Sequence, residues 1–182
     1  MLNARPMTAL LLTTALFLGA CAGGGPASPA PEADAGAPFL APAEVRETPT
    51  PGIPPALLTA VRAAEHPGFD RVVFEFAEGP LPGYRVAYLQ GPAHDCGSGD
   101  EKPVAGGALL EVTLRPANAH TEKGEPTIPF REQPLTLPVL REIDRTCDFE
   151  AVVTWVLGVS SQKPFRVTEL SGPPRLVVDV ER

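Results

Sequence analysis

Short runs in which apolar and polar side chains alternate fill the chain from residue 57 onward. The clearest run is Arg71-Val72-Val73-Phe74-Glu75-Phe76, in which every second residue is a large apolar one. A period of two places successive side chains on opposite faces of a β-strand. Because turn residues separate these runs and no helical pattern exceeds two turns, the sequence predicts an all-β domain. The expected architecture is an antiparallel β-sandwich of about seven to eight strands.

The predicted strands follow one another with short turns between them. They cover residues 71–76, 84–89, 108–115, 138–143, 149–159, 165–170 and 175–181. The run 149–159 is long, β-branched and aromatic and is predicted to be central, whereas Pro138 is typical of an edge strand. Residues 57–64 fit either a short helix or a first strand. A further brief strand is considered near residues 127–130.

The inward-facing apolar residues of these strands form the predicted core. They are Phe74, Phe76, Val86, Leu110, Val112, Leu114, Val153, Trp155, Val167, Leu176 and Val178. A domain of this size buries roughly two-thirds of the surface of its unfolded chain. The core is therefore expected to suffice without a structural metal.

The N-terminal segment has the layout of a bacterial secretory signal. One cation, Arg5, precedes an apolar run over residues 9–18, and small residues then lead into Cys21. The ending Leu18-Gly19-Ala20-Cys21 resembles a lipobox. That resemblance implies removal of residues 1–20 and attachment of a diacylglycerol, often with a further acyl chain, to Cys21. The alternative is an ordinary signal peptide cut near Ala20-Cys21-Ala22, which leaves Cys21 free or removes it.

Residues 21–55 are predicted to be a disordered tether, and residues 56–182 the folded domain. Nine prolines lie between residues 22 and 55, together with Gly23-Gly24-Gly25 and many alanines. Such a stretch has too few large apolar residues to offset the entropy lost on ordering. Because proline favours extended backbone, the tether is expected to be a semi-extended spacer of roughly 3 Å per residue.

Two cysteines remain once Cys21 is assigned to lipid. In an exported protein Cys96 and Cys147 are predicted to form a disulfide. Two separate thiols are the alternative. A reactive thiol would need a base, and His94 lies two residues from Cys96, on the same face of an extended chain.

The strand Arg71–Phe76 is echoed by Arg175-Leu176-Val177-Val178-Asp179-Val180. Each hexamer has an arginine first and an acid fifth. If the two strands are neighbours, an antiparallel pairing sets Arg71 opposite Asp179 and Glu75 opposite Arg175, whereas parallel pairing sets like charges together. The antiparallel arrangement is predicted. In the alternative, both hexamers are ordinary strands whose outer faces are solvated.

The charge of the chain limits its partners. The formal net charge is −7, and residues 1–20 contain Arg5 but no acid, so the processed chain is one unit more negative. Nucleic acids and anionic lipid head groups are bound by clustered Lys and Arg. No nucleic-acid partner is therefore expected, and the membrane is expected to be contacted through the lipid anchor. The chain is predicted to be a monomer.

No motif in the sequence indicates a catalytic residue, a metal site or a cofactor, and none of these is expected. His66, His94 and His120 lie on separate loops without metal-ligand spacing. Asp95, Asp100 and Glu101 lack the rest of a calcium-loop signature, and a flexible acidic loop is preferred. Tyr84 and Tyr88 share one strand face; they are candidates for stacking on sugar rings, with a role in the core as the alternative.

Five stretches together resemble the AMIN-like domain of bacterial lipoproteins. They are residues 68–76, 82–86, 146–150, 164–170 and 173–180. The resemblance spans residues 57–181 and implies a β-sandwich related to AMIN domains, with a strand at residues 57–64. AMIN domains accompany cell-wall amidases and secretins and are linked to peptidoglycan binding. No ligand-contact residue carries over by position, and the cysteine pair is not regarded as part of the family pattern.

The predicted function is that of a non-catalytic, lipid-anchored binding module on the extracytoplasmic side of the cell envelope. Peptidoglycan or another wall component is the expected ligand. A protein-interaction or assembly adaptor that uses a sheet edge is the first alternative, and a carrier of a small apolar ligand inside the sandwich is the second. No enzymatic activity is expected.

Overall fold

The computed structural model describes residues 38–39 and 44–182. The predicted signal segment, Cys21 and most of the predicted tether lie outside these residues. In the part described, no helix is long and apolar enough to span a membrane. Thirteen strands are present in it: β1 (Val45–Glu47), β2 (Ala56–His66), β3 (Phe69–Phe76), β4 (Gly83–Tyr88), β5 (Ala93–His94), β6 (Glu101–Lys102), β7 (Ala108–Arg115), β8 (Ala117–Asn118), β9 (Glu132–Pro134), β10 (Leu140–Phe149), β11 (Val152–Val159), β12 (Phe165–Leu170) and β13 (Arg175–Glu181).

Two sheets pack face to face around one core. The six-stranded sheet has the order β1-β4-β7-β11-β10-β9, and the five-stranded sheet has the order β12-β13-β3-β2-β8. Nearly all the pairings are antiparallel; β2 with β8 is parallel. The strands β5 and β6 form a separate small hairpin. The predicted all-β antiparallel sandwich is thus confirmed.

The predicted core is also observed. Ten of its eleven residues are buried in one apolar cluster to which both sheets contribute, and Val167 packs against this cluster while half-buried. Trp155 lies at its centre, with its ring centroid 6.3 Å from that of Phe74 and 5.8 Å from that of Phe130. Burial of such large side chains supplies most of the drive for the sheets to associate.

The ambiguous first segment is a strand, β2, as the family resemblance implied. The strand near residues 127–130 is not observed; β9 begins shortly after it. The predicted edge strand 138–143 lies inside the sheet, since β9 covers its far side.

The predicted strand 149–159 is interrupted near its start. Glu150 and Ala151 have φ values of 49° and 57°, and they turn the chain from β10 into β11, with Phe149 opposite Val152. Two left-handed residues in a row are typical of a two-residue hairpin turn, where asparagine and glycine normally stand. Because neither residue belongs to those types, the turn leaves no signal in the sequence.

The predicted pairing of the two hexamers is confirmed. Strands β3 and β13 are antiparallel neighbours, with Arg71 opposite Asp179 and Glu75 opposite Arg175. Arg71 donates two hydrogen bonds to the carboxylate of Asp179, at 2.6 and 3.0 Å. The second pair differs from a simple ion pair, because Glu75 accepts a hydrogen bond from Arg62 and Nε of Arg175 donates to the carbonyl of Pro173.

The outer face at Asp179 is not solvated. Arg166 on β12 also donates to Asp179, at 2.7 Å, and all three charged residues of this cluster are buried. Aromatic rings cover them: the guanidinium of Arg166 lies 4.6 Å from the ring centroid of Phe39 and 4.9 Å from that of Phe69. Such cation–π contacts shield the cluster from water.

Part of the range assigned to the tether is folded in the structure. β1 pairs with β4, and a Cβ placed on Gly83 would lie 2.4 Å from Cδ of Pro49, so the chain after β1 lies directly on β4. With Phe39 on the other sheet, ordered structure begins before residue 56. A three-residue strand is too short to show a period of two among so many prolines.

Candidate functional site

A long connection between β4 and β7, residues 89–107, lies on the outer face of the six-stranded sheet; we call it the flap. It contains the β5–β6 hairpin. A Cβ on Gly158 would lie 1.9 Å from the carbonyl oxygen of Ala105, so the flap backbone rests directly on β11 at a position that only glycine allows. Val156, which faces away from the core on the same strand, is buried.

The predicted disulfide fastens the flap to the sheet. Cys96 in the flap is bonded to Cys147 on β10, with Cα atoms 5.2 Å apart. The register of β10 against β11 shifts between Arg145 and Cys147, and the carbonyl of Thr146 at this irregularity accepts a hydrogen bond from the amide of Cys96. The pair is therefore a local staple, and neither cysteine offers a free thiol beside His94.

The turn between β5 and β6, at the tip of the hairpin in the flap, is ordered by Asp95. One oxygen of its carboxylate accepts the amides of Gly97 and Ser98, and the other forms an ion pair with Arg131. These backbone hydrogen bonds, aided by Arg131, lower the pKa of Asp95. The acidic loop that the sequence indicated is thus a turn held in place by its own carboxylate.

Three carboxylates meet one ammonium group beneath the flap. Glu132 on β9 stands opposite Asp144 on β10, and Glu142 lies two residues before Asp144 on the same face. The ammonium of Lys102 lies 2.9 Å from Glu132 Oε2 and 3.1 Å from Asp144 Oδ2. Its contacts with the carboxylates of Glu132 and then of Asp144 raise the pKa of Lys102. Like charges opposite each other destabilise a sheet, so Lys102 partly offsets this pairing.

Two open clefts flank the flap. The larger, of about 770 Å³, lies where the flap meets β7, β9 and β10, and its polar side chains are Gln90, Glu101, Lys102, Glu132 and Glu142. The smaller, of about 390 Å³, lies beside the disulfide and is bordered by Arg131, Arg145, His120 and Phe149. Both volumes fall near the range of small-ligand sites. We call the larger one the flap cleft.

Tyr84 and Tyr88 share one face of β4, as predicted, and this face points into the sandwich. The hydroxyl of Tyr84 donates to Glu169 at 3.1 Å, and that of Tyr88 donates to the carbonyl of Lys163 at 2.9 Å. Burial raises the pKa of both phenols, and Glu169 raises that of Tyr84 further. Both rings are half-buried against the core. Sugar binding by this pair remains a prediction, and their core role is the one the contacts support.

Apart from Glu101, the polar residues of the flap cleft were missed by sequence reasoning. Glu132 lies ten residues before Glu142, and only the pairing of β9 with β10 brings them together. One signal was present, because the spacing Glu142-x-Asp144 places two carboxylates on one face of a strand. His120, which the sequence places apart from the other two histidines, has Asp148 as its partner, with Nδ1 2.9 Å from Oδ1.

Comparison with known protein families adds one match. A model described as the AMIN-like domain matches residues 56–182. The chain belongs to the AMIN-like domain family. The comparisons with curated proteins and with solved structures gave no match. The match to the AMIN-like domain covers both sheets of the sandwich except β1, and it includes the flap with its disulfide.

Proposed function

We propose that this protein is a non-catalytic binding module of the cell envelope, that a lipid on Cys21 anchors it, and that it binds peptidoglycan in the flap cleft. The family match over residues 56–182 carries the proposal, since it spans both sheets of the sandwich except β1. The relation of AMIN-like domains to AMIN domains, which are linked to peptidoglycan binding, gives the ligand class.

The flap cleft suits a polar polymer. Gln90 offers both a donor and an acceptor, and Glu101 offers acceptors to sugar hydroxyls and peptide amides. The cleft is open to solvent along the flap, so a chain can enter and leave without being threaded. A formal charge of −7 favours a neutral or amide-rich ligand over an anionic wall polymer.

Two alternatives are less well supported by the contacts. An apolar-ligand carrier needs a cavity between the sheets, but Trp155, Phe74 and Phe165 fill that space with fully buried rings. A thiol enzyme needs a free cysteine, but Cys96 is bonded to Cys147. The filled core therefore weighs against the carrier, and the disulfide weighs against a thiol enzyme.

Co-sedimentation with purified sacculi tests the proposal. We expect the processed chain to pellet with sacculi at low salt and the cleft variant Gln90→Ala/Glu101→Ala to lose most of this retention. A matched control, Thr59→Ala/Glu75→Ala, removes the same charge from the five-stranded sheet and should pellet like the wild type. Absence of wild-type retention, or equal retention of both variants, would refute binding through the flap cleft.

The anchor is tested separately. Palmitate labelling that depends on Cys21, with precursor accumulation in the presence of globomycin, is the expected result. Cys21→Ala should abolish the label. Unlabelled protein released into the medium would refute the lipid anchor while leaving wall binding open to its own test.

A protein-interaction adaptor is the second candidate, and Phe149 favours it. This ring is 64% exposed at the end of the β10–β11 hairpin, and aromatic residues, phenylalanine among them, are enriched in protein interfaces relative to the rest of the surface. A photo-crosslinking residue at position 149 in living cells should then capture one defined envelope protein. Retention on sacculi that is unchanged in Phe149→Ser would separate this role from wall binding.

A further inference from the structure

The like-charge pairing beneath the flap breaks a rule that strands normally obey. Glu132 and Asp144 are direct cross-strand partners, where opposite charges or apolar residues are favoured. Glu142 adds a third carboxylate on the same face, and one oxygen of each residue lies within 4.8 Å of the others. Departures of this kind concentrate at functional sites.

Asp144 gives a second, independent observation. Its side chain is fully buried, and within the described residues Oδ1 receives no hydrogen bond. The ammonium of Lys102 faces Oδ2 at 3.1 Å as an ion pair without the geometry of a directed hydrogen bond. A buried carboxylate oxygen without a donor is unfavourable unless a cation satisfies it.

One ammonium does not balance three carboxylates. Lys102 contacts Glu132 and Asp144, while Glu142 Oε2 accepts the amide of Ala105 at 2.6 Å. That amide fixes the orientation of Glu142 but brings no full charge. A net negative charge therefore remains at a place partly removed from water, where electrostatic attraction for a cation is strong.

We propose that Glu132, Glu142 and Asp144 form a binding site for a divalent cation, with calcium as the preferred ion. Calcium binds oxygen ligands at about 2.3–2.6 Å, so two oxygens on opposite sides of the ion lie about 5 Å apart. One oxygen of each residue lies within 4.8 Å of the others, so a single ion can reach all three. Calcium accepts irregular sets of carboxylate oxygens and water, whereas magnesium demands a near-ideal octahedron and dehydrates reluctantly.

Lys102 is the internal competitor of this ion. Its ammonium lies among the carboxylates, so the bound cation displaces it, and water from the flap cleft completes the coordination. Because Lys102 and Ala105 both belong to the flap, occupancy of the site changes how the flap is held. The proposal does not rest on wall binding, although Glu132 and Glu142 also border the flap cleft.

Calorimetric titration of chelator-treated full-length chain with CaCl2 tests the site. We expect saturable binding of one ion per chain, a rise in the unfolding temperature with calcium, and weaker binding of MgCl2. The isosteric variant Asp144→Asn should weaken calcium binding at least tenfold, and Glu132→Gln, at an exposed position, should weaken it without risk to folding. The control Glu65→Gln removes an exposed carboxylate from the five-stranded sheet and should bind calcium like the wild type.

Lys102→Met distinguishes a metal site from a structural ion pair. If the ammonium competes with the ion, this variant binds calcium more tightly than the wild type and is less stable in chelator. An absence of saturable calcium binding in the wild type, or equal affinities in the wild type, Glu132→Gln and Asp144→Asn, would overturn the proposal. A Lys102→Met variant that is destabilised and does not bind calcium would identify the cluster as a structural ion pair only.

Discussion

Arg71 and Asp179 face each other across β3 and β13, joined by two hydrogen bonds and buried on the outer face of the five-stranded sheet. Arg166 holds the same carboxylate from the other side. The carboxylate of Asp179 thus binds two guanidinium groups beneath a cover of aromatic rings, and it links β12, β13 and β3.

Asp179→Asn should be strongly destabilising, because it removes the carboxylate that accepts both hydrogen bonds of buried Arg71 and one from buried Arg166. Loss of one partner from a buried ion pair typically costs about 3–5 kcal/mol. Urea unfolding measures the change in the free energy of unfolding. The control Glu75→Gln breaks an ion pair with Arg62, whose side chain is 53% exposed, and should cost less than about 1 kcal/mol. Similar small losses in both variants would show that the buried cluster contributes little.

The segment before the family match should stabilise the domain. A chain that begins at residue 50 lacks Phe39, which covers Arg166, and β1, which pairs with β4. We expect its free energy of unfolding to fall by at least about 1 kcal/mol relative to a chain that begins at residue 38, the order of a desolvated cation–π contact. Equal stabilities of the two chains would show that this segment is only a tether.

Replacement of the two residues in the turn between β10 and β11 should stabilise the protein. Left-handed backbone at a residue other than glycine costs about 1–2 kcal/mol, and Glu150 and Ala151 both adopt it. The double change Glu150→Asn/Ala151→Gly supplies the residues that such a turn favours. We expect a higher midpoint of thermal unfolding with an unchanged near-ultraviolet circular dichroism spectrum. A lower midpoint would mean that the turn is not of this type.

Stability should decline at alkaline pH. The pKa values of Tyr84 and Tyr88 are raised chiefly by burial, and that of Lys102 by its two carboxylate partners. The folded chain therefore binds more protons than the unfolded chain once the pH exceeds about 10, and the free energy of unfolding falls as pH rises. Below about pH 10 these three groups are protonated in both states, so their contribution to the free energy of unfolding is fully present. Urea titrations from pH 8 to 11 should show the decline, and Tyr84→Phe should make it shallower. A free energy of unfolding that stays constant over this pH range would contradict the raised pKa values.

Local pattern was enough to predict the sandwich. A period of two identified most strands and eleven core residues, ten of which are buried, and the charges of the two hexamers predicted the register of β3 with β13. Both signals arise within single strands, where sequence order and geometry coincide.

The candidate site could not be predicted in the same way. The flap is an irregular segment, and its position depends on contacts such as that between Ala105 and Gly158, which lie far apart in the sequence. The carboxylate cluster depends on β9, a strand of three residues that includes a proline. The cover over Arg166 depends on Phe39, which stands among prolines and alanines and looks like part of a spacer.

Nuclear magnetic resonance can locate the proposed binding of peptidoglycan residue by residue. Soluble disaccharide–peptide fragments of peptidoglycan should be titrated into the isotope-labelled processed chain. If the ligand lies in the flap cleft, amide signals of the flap, β9 and β10 shift to saturation and those of the five-stranded sheet stay unchanged. An absence of shifts at millimolar fragment, or shifts confined to the five-stranded sheet, would contradict this proposal.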